Sequence, residues 1–345
     1  MSVKNWLNAN SIWAFAFGYF ACYIPYSAMT KLLSSGKIPG GEGHAVPGVA
    51  VLPMSAVASA VAMIVFITAA GWWKHATHKQ ILGVNLPVPN RWTFLSGLCA
   101  MCTVATTTLA YTFEGVSIVF AMLLMRGGVL ILAPVVDAIS KRRVRWFAWS
   151  ALAMALFALL VGVTDTKSYK LPIACAINIL VYLASYFVRF RFMSKLAKSD
   201  DENTNKRYFV EESMIATPAL AIVLGVYALV GPGEVAQAVR EGFTAYWGET
   251  AVIVSIIIVG CLSQGTGLFG NLIYLDKREN TYCVPVNRSS SVLAGVVASY
   301  ALMLFPNGKA PGFSELMGAG LIIGAIVFLT IPPMLEKRRT RALNR

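Results

Sequence analysis

Residues 122–136 read MLLMRGGVLILAPVV. The run is apolar enough for a bilayer interior, yet Arg126 stands close to its centre. A charge at the midplane costs about 3 to 17 kcal/mol, depending on how far it can snorkel or draw water inward. A chain that keeps Arg126 there has a use for it, either holding an anion or clamping a neighbouring helix.

Working outward, 57% of the 345 residues are hydrophobic and 13% are charged, whereas a soluble domain carries roughly 25% charge. Several runs exceed the ~18 apolar residues that suggest a membrane span. The fold class expected is an all-α polytopic membrane protein with ten spans, near 11–34, 48–72, 93–113, 117–139, 146–165, 171–193, 209–230, 250–274, 281–305 and 314–334. Pro25, Pro53, Pro134, Pro218 and Pro285 fall inside them, which membrane helices tolerate when neighbours satisfy the freed carbonyls. The N-terminal MSVKNWLNANSIW has no small-residue cleavage site and reads as a tail leading into the first span. The six cysteines lie in or beside apolar segments, so no disulfide is expected. Cys99 and Cys102 lack a second pair to complete a zinc site.

The net charge of +13 follows from topology. With the N-terminus in the cytoplasm, one side collects Lys74, Lys79 and Arg91, then Lys141 to Arg145, the basic residues from Arg189 to Arg207, Lys277 with Arg278, and the C-terminal cluster. The other side holds Lys37, Lys167, Lys170, Arg240 and Lys309. That asymmetry places both termini in the cytoplasm, as an even number of spans requires. It removes nucleic acid as a partner. Lys31, Arg126 and Arg288 belong to neither side, so topology does not explain them. The polar run 198–207 reads as a mobile cytoplasmic loop. In 232–249, apolar residues at Val235, Val239, Phe243 and Trp247 suit a short amphipathic helix at the outer interface, with a packed loop as the alternative.

Ten spans divide into two halves of five, residues 1–166 and 167–345. Matches recur at a nearly constant offset: Tyr19 and Tyr23 answer to Tyr182 and Tyr186, Tyr111 to Tyr274, Arg126 to Arg288, and Gly162 to Gly324. Five spans is odd, so the second half would enter the membrane from the opposite side. Inverted repeats of this kind are a common construction of secondary transporters, with substrate near the midplane.

On these residues the chain resembles the drug/metabolite transporter superfamily, in its EamA-like and nucleotide-sugar/triose-phosphate forms. The organophosphate and nucleotide-sugar branches carry cationic residues on the fourth and ninth helices, and Arg126 in MLLMRGG and Arg288 in VNRSSS fit that pattern. The small multidrug branch uses a glutamate in its first helix. Here the first span, NSIWAFAFGYFACYIPYSAMTKLL, has Lys31 and no acid. The resemblance therefore implies alternating access for an anionic substrate.

A guanidinium presents a fork that holds phosphate or carboxylate through two hydrogen bonds. Candidate companions of Arg126 and Arg288 are Asn287 and Ser289 beside Arg288, Gln264 and Asn271 in the eighth span, and Asn178 in the sixth. Tyr19, Tyr23, Tyr26, Tyr182 and Tyr186 form stripes that either line a site or pack a core, with Tyr111 and Tyr274 at helix ends. Lys31 is either a vestibule residue or a snorkelling one. Glu114, Glu211, Glu212 and Asp276 lie near helix ends and read as solvated, leaving no acid deep enough to carry a proton. His44, His75 and His78 form no metal site, and no enzyme signature or cofactor motif is present.

The expected function is a secondary transporter, not an enzyme, for a nucleotide sugar, sugar phosphate or lipid-linked phosphate, acting as monomer or dimer among membrane lipids. The alternatives are an exporter of amino acids or other small metabolites, and a membrane-embedded lipid-phosphate enzyme.

Overall fold

The computed structural model describes residues 11–41, 43, 45–81, 83–109, 118–163, 173–199, 201–303 and 313–343. Among them are eleven α-helices: α1 (Ser11–Ser34), α2 (Gly48–Ala69), α3 (Arg91–Leu109), α4 (Ile118–Ile139), α5 (Trp146–Val163), α6 (Ile173–Leu196), α7 (Glu202–Val230), α8 (Gly233–Thr244), α9 (Thr250–Tyr274), α10 (Asn280–Leu302) and α11 (Phe313–Leu343). Four of these, α2, α6, α7 and α9, are long and apolar enough to cross a membrane. All four expose aliphatic faces, with Val61 and Val65 on α2, Ile177 and Leu180 on α6, Ile222 and Leu229 on α7, and Val254 on α9. Such continuous exposed apolar surface suits contact with lipid.

The departures from expectation are local. A short antiparallel hairpin, β1 (His78–Ile81) and β2 (Val84–Pro87), interrupts the otherwise helical chain. Most of the polar run expected as a mobile loop is the start of α7, because Asp201 caps it: the carboxylate accepts from Asn203 N, Thr204 N and Thr204 Oγ1. The bonds from Thr204 and Asn203 hold its carboxyl below the usual carboxylate range. The segment with two readings near 232–249 is helical as α8, and its apolar face buries Ala236 and Val239.

Helix α1 packs against α9 and α10, and α6 packs against α3 and α4. Helix α2 packs against α9, and α7 against α3. The pairs α2 with α7, α4 with α10, and α5 with α11 also touch. Glycines allow the closest of these approaches. A Cβ on Gly97 would lie 2.7 Å from Ile215 and 2.9 Å from the Glu212 carbonyl, so α3 could not sit as near to α7. A Cβ on Gly270 would lie 3.3 Å from both Tyr19 and Asn287.

Two buried carboxylates tie helix starts to their neighbours. Asp137, at the end of α4, accepts from the backbone N–H and the side chain of both Asn280 and Thr281, the first turn of α10. Glu211, on α7, accepts from Thr77 N and Oγ1, Asn90 N and Thr93 Oγ1, anchoring the hairpin strap and the start of α3. Each satisfies N–H groups that a helix start leaves without an intrahelical partner. Asp137 thereby fixes the helix that carries Arg288.

Candidate functional site

A cavity of about 250 Å³ lies between α1, α2, α3, α6, α7, α9 and α10. Its polar lining comes from Tyr19, Tyr186, Arg189, Gln264, Asn271, Tyr274, Asn287 and Arg288, with serines and threonines from α2, α3, α7 and α9. Seven residues singled out in the sequence therefore line one cavity: Tyr19, Tyr186, Gln264, Asn271, Tyr274, Asn287 and Arg288.

Arg288 is 9% exposed. Its Nη2 donates to Tyr182 Oη at 3.4 Å, a long bond, and its guanidinium stands 5.5 Å over the Tyr186 ring. Its Nε is buried and has no hydrogen-bond partner, and no carboxylate pairs with it among the described residues. Beside it Tyr274 donates to Asn287 Oδ1 at 2.7 Å, and the Ser289 hydroxyl is buried without a partner. A desolvated cation surrounded by phenols attracts an anion: the rings supply weak face attraction, and the unused N–H remains available for a stronger acceptor.

Arg126 is half-buried and does not line the cavity. Its Nη2 donates to Tyr23 Oη at 3.1 Å, and Tyr23 stacks on Tyr19 at 5.6 Å. Both arginines are electrostatic neighbours of Tyr19 and Tyr182, so the two tyrosine stripes connect them. Asn178 donates to the Thr106 carbonyl and tethers α6 to α3. Tyr26 packs edge-on against Tyr23 and against an apolar cluster formed by the ends of α1, α2 and α9. Lys31 is exposed near the end of α1. Tyr111 and Glu114 lie outside the described residues.

The largest correction concerns Arg189 and Glu212. Sequence reasoning assigned Arg189 to the cytoplasmic charge and Glu212 to a solvated helix end. Arg189 is instead 5% exposed and on the cavity wall, and Glu212 is 0% exposed. They form a bidentate pair, Nε to Oε1 at 2.9 Å and Nη2 to Oε2 at 2.8 Å. Arg189 Nη2 also donates to Asn271 Oδ1 at 2.6 Å, and Ser96 Oγ donates to Glu212 Oε1 at 2.6 Å. Glu211 is likewise buried by its strap contacts. A signal for Arg189 existed: Asn178, Tyr182, Tyr186 and Arg189 recur at helical spacing on one face of α6.

No family model and no curated protein matches the chain. Solved structures do. One, described only as a crystal structure of a protein, is 14% identical and covers 92% of this chain and 96% of its own, with a TM-score of 0.55. At that identity the likeness speaks to the fold alone.

Proposed function

We propose that the chain is a ten-span secondary transporter of the drug/metabolite type, moving an anionic, phosphorylated metabolite by alternating access of two inverted halves. The observation that carries this reading is Arg288: a buried guanidinium on a cavity wall, with phenols around it, no acid among the described residues and one N–H unused. Such a charge is costly without a counter-ion, and an anionic substrate supplies one. Arg126 acts behind the first tyrosine stripe as Arg288 does beside the second.

The packing supports the two-fold repeat. Exchanging α1 with α6, α2 with α7, α3 with α9, α4 with α10 and α5 with α11 turns most of the extensive pairings into observed ones. Thus α1 with α9 becomes α6 with α3, α2 with α9 becomes α7 with α3, and α1 with α10 becomes α6 with α4. The self-paired contacts, α2 with α7, α4 with α10 and α5 with α11, then lie on the axis. A cavity at that junction is where inverted-repeat transporters hold substrate. A lipid-phosphate enzyme would need a His or a free carboxylate on the wall, and the described lining carries neither.

The topology is testable separately. In a background lacking the native cysteines, a Cys at Glu234 is expected to react with an impermeant maleimide from outside, and one at Asn203 only after permeabilisation. Glu234 serves better than the adjacent Gly233, whose φ of 85° would strain an introduced side chain. The reverse labelling pattern would overturn the orientation.

For substrate class, thermal stabilisation of the purified protein is measured with inorganic phosphate, glucose 6-phosphate, a nucleoside diphosphate sugar, a short polyprenyl phosphate and tetraethylammonium. At least one phosphorylated compound is expected to raise the melting temperature saturably, and tetraethylammonium is not. Stabilisation by the cation alone would show that the class is wrong.

A further inference from the structure

We propose that Arg189 determines which anion the cavity accepts: with its pair to Glu212 intact, its Nη1 donates to a hydroxyl oxygen on the uncharged part of the ligand. The site then selects a hydroxylated organic phosphate over one whose body is purely aliphatic. This rests on the anion-transport reading above and assigns the part of the ligand that Arg288 does not hold.

Arg189 is fixed by its partners and keeps a donor in reserve. Nε and Nη2 engage the two oxygens of Glu212, and Nη2 also donates to Asn271 Oδ1. These contacts come from α7 and α9, so the guanidinium plane is held from two sides. Nη1 makes no hydrogen bond among the described residues, and it is not among the polar atoms sealed in without a partner. It therefore opens onto the cavity that Arg189 lines. A donor already fixed in place loses little further freedom when a ligand arrives. Ser213 follows Glu212 on α7 and borders the same cavity. It is 2% exposed, and its hydroxyl has no partner. Two polar groups, one on α6 and one on α7, are thus left for a ligand to satisfy, and a buried hydroxyl left unpaired is costly.

Charge decides what kind of group satisfies them. Arg288 has no acid among the described residues, so its charge is available to the phosphate. The charge of Arg189 is matched by Glu212 at 2.8 Å. A second anionic group at Nη1 would feel both members of that pair, and attraction and repulsion would largely cancel. An uncharged acceptor gains the hydrogen bond without that repulsion.

The rest of the lining favours a hydroxyl as that acceptor. Ser55 donates to the Leu52 carbonyl, Ser59 to that of Gly260, Thr103 to that of Ala100 and Thr217 to that of Ser213. With their hydrogens committed, these four hydroxyls on α2, α3 and α7 offer the cavity lone pairs alone. They match a ligand that brings hydrogens of its own. A ligand hydroxyl does both, accepting from Arg189 and donating to such a lone pair. A carbonyl only accepts, and an alkyl chain does neither.

Three phosphate monoesters of like charge test this: propyl phosphate, glycerol 3-phosphate, which is the same chain with two hydroxyls added, and glucose 6-phosphate. Their binding to purified wild type, Arg189→Lys and Arg288→Ala is measured by calorimetry. Wild type is expected to bind the tighter of the two hydroxylated esters about 10- to 150-fold better than propyl phosphate, the range for a hydrogen bond from a charged donor. Arg189→Lys keeps a cation against Glu212 but loses the fork and its third nitrogen, so that preference should collapse to about twofold or less. Arg288→Ala should weaken all three esters.

Wild type that binds propyl phosphate as tightly as both hydroxylated esters would overturn the proposal while leaving the anion site standing. An Arg189→Lys protein that keeps the preference would overturn it too. So would one that loses affinity for all three esters equally, since Arg189 would then serve the fold or the anion itself. If Arg189→Lys does not fold, Arg189→Gln combined with Glu212→Gln, which strands no charge, takes its place with the same expected result. If neither folds, the wild-type comparison decides. No binding of any ester to wild type, together with no response to the phosphorylated compounds above, would sink both readings.

Discussion

Arg288→Ala is expected to weaken anion binding about 30- to 5,000-fold, the ~2–5 kcal/mol lost when one partner of a desolvated charge pair is truncated. The fold should survive. The guanidinium has no carboxylate to orphan among the described residues, and its bond to Tyr182 is long. Arg288→Lys keeps the charge but loses the fork, so its affinity should fall between those of wild type and the Ala variant. The check is ligand-induced thermal stabilisation of the purified variants. Proteins that melt like wild type but no longer respond to the anion support the site. An Arg288→Ala protein that melts earlier yet gains full stabilisation makes Arg288 a helix clamp.

Arg189→Ala is expected to cost stability instead, about 3–5 kcal/mol, because it leaves Glu212 buried with its strongest partner gone. Glu212→Ala should cost a similar amount by stranding the guanidinium. Replacing both with apolar residues of similar volume, Arg189→Met with Glu212→Leu, should cost less than either single change. Comparing the apparent melting temperatures of the three proteins tests this. Single variants as stable as wild type would mean that water reaches the pair, and the desolvated picture of this wall would fail.

The two arginines behave differently because only one has an acid, and that difference marks where the sequence was readable. Apolar runs announced the long helices. Arg126 and Arg288 stood out because no loop could claim them, and the tyrosines followed from their offset. Arg189 was hidden by its neighbours: Arg189, Arg191 and Lys195 run together at the basic end of α6, where positive charge is what a cytoplasmic boundary predicts. Glu212 was hidden in the same way, next to Glu211 in a polar helix start. Its burial depends on α3 coming close at Gly97 and on Ser96 and Tyr208 meeting over it, which are contacts across more than a hundred residues of chain. Asp137 went unweighed because a lone acid at a helix end has no local feature separating a cap for a distant helix from a solvated charge.

The helices that fall short of a clear membrane-crossing composition have a related explanation. Helix α10 carries Asn280, Thr281, Asn287, Arg288 and four serines, and α3 carries five threonines and a serine. Among them, Thr93, Asn280 and Thr281 tie helix starts, and Thr103, Asn287 and Arg288 border the cavity. A helix that faces a cavity has less apolar surface to offer lipid, so the polarity that makes a site also weakens the signal of a span.

The central claim is that this cavity carries an anion across a membrane, and counterflow in proteoliposomes tests it most directly. Vesicles containing wild type, Arg288→Ala or no protein are preloaded with one unlabelled phosphorylated solute and diluted into its labelled form. The account predicts transient, saturable accumulation with wild type only, competed by other anions and untouched by tetraethylammonium. Saturable uptake of a cationic dye that no anion inhibits, or equal anion flux through Arg288→Ala and wild type, would contradict it.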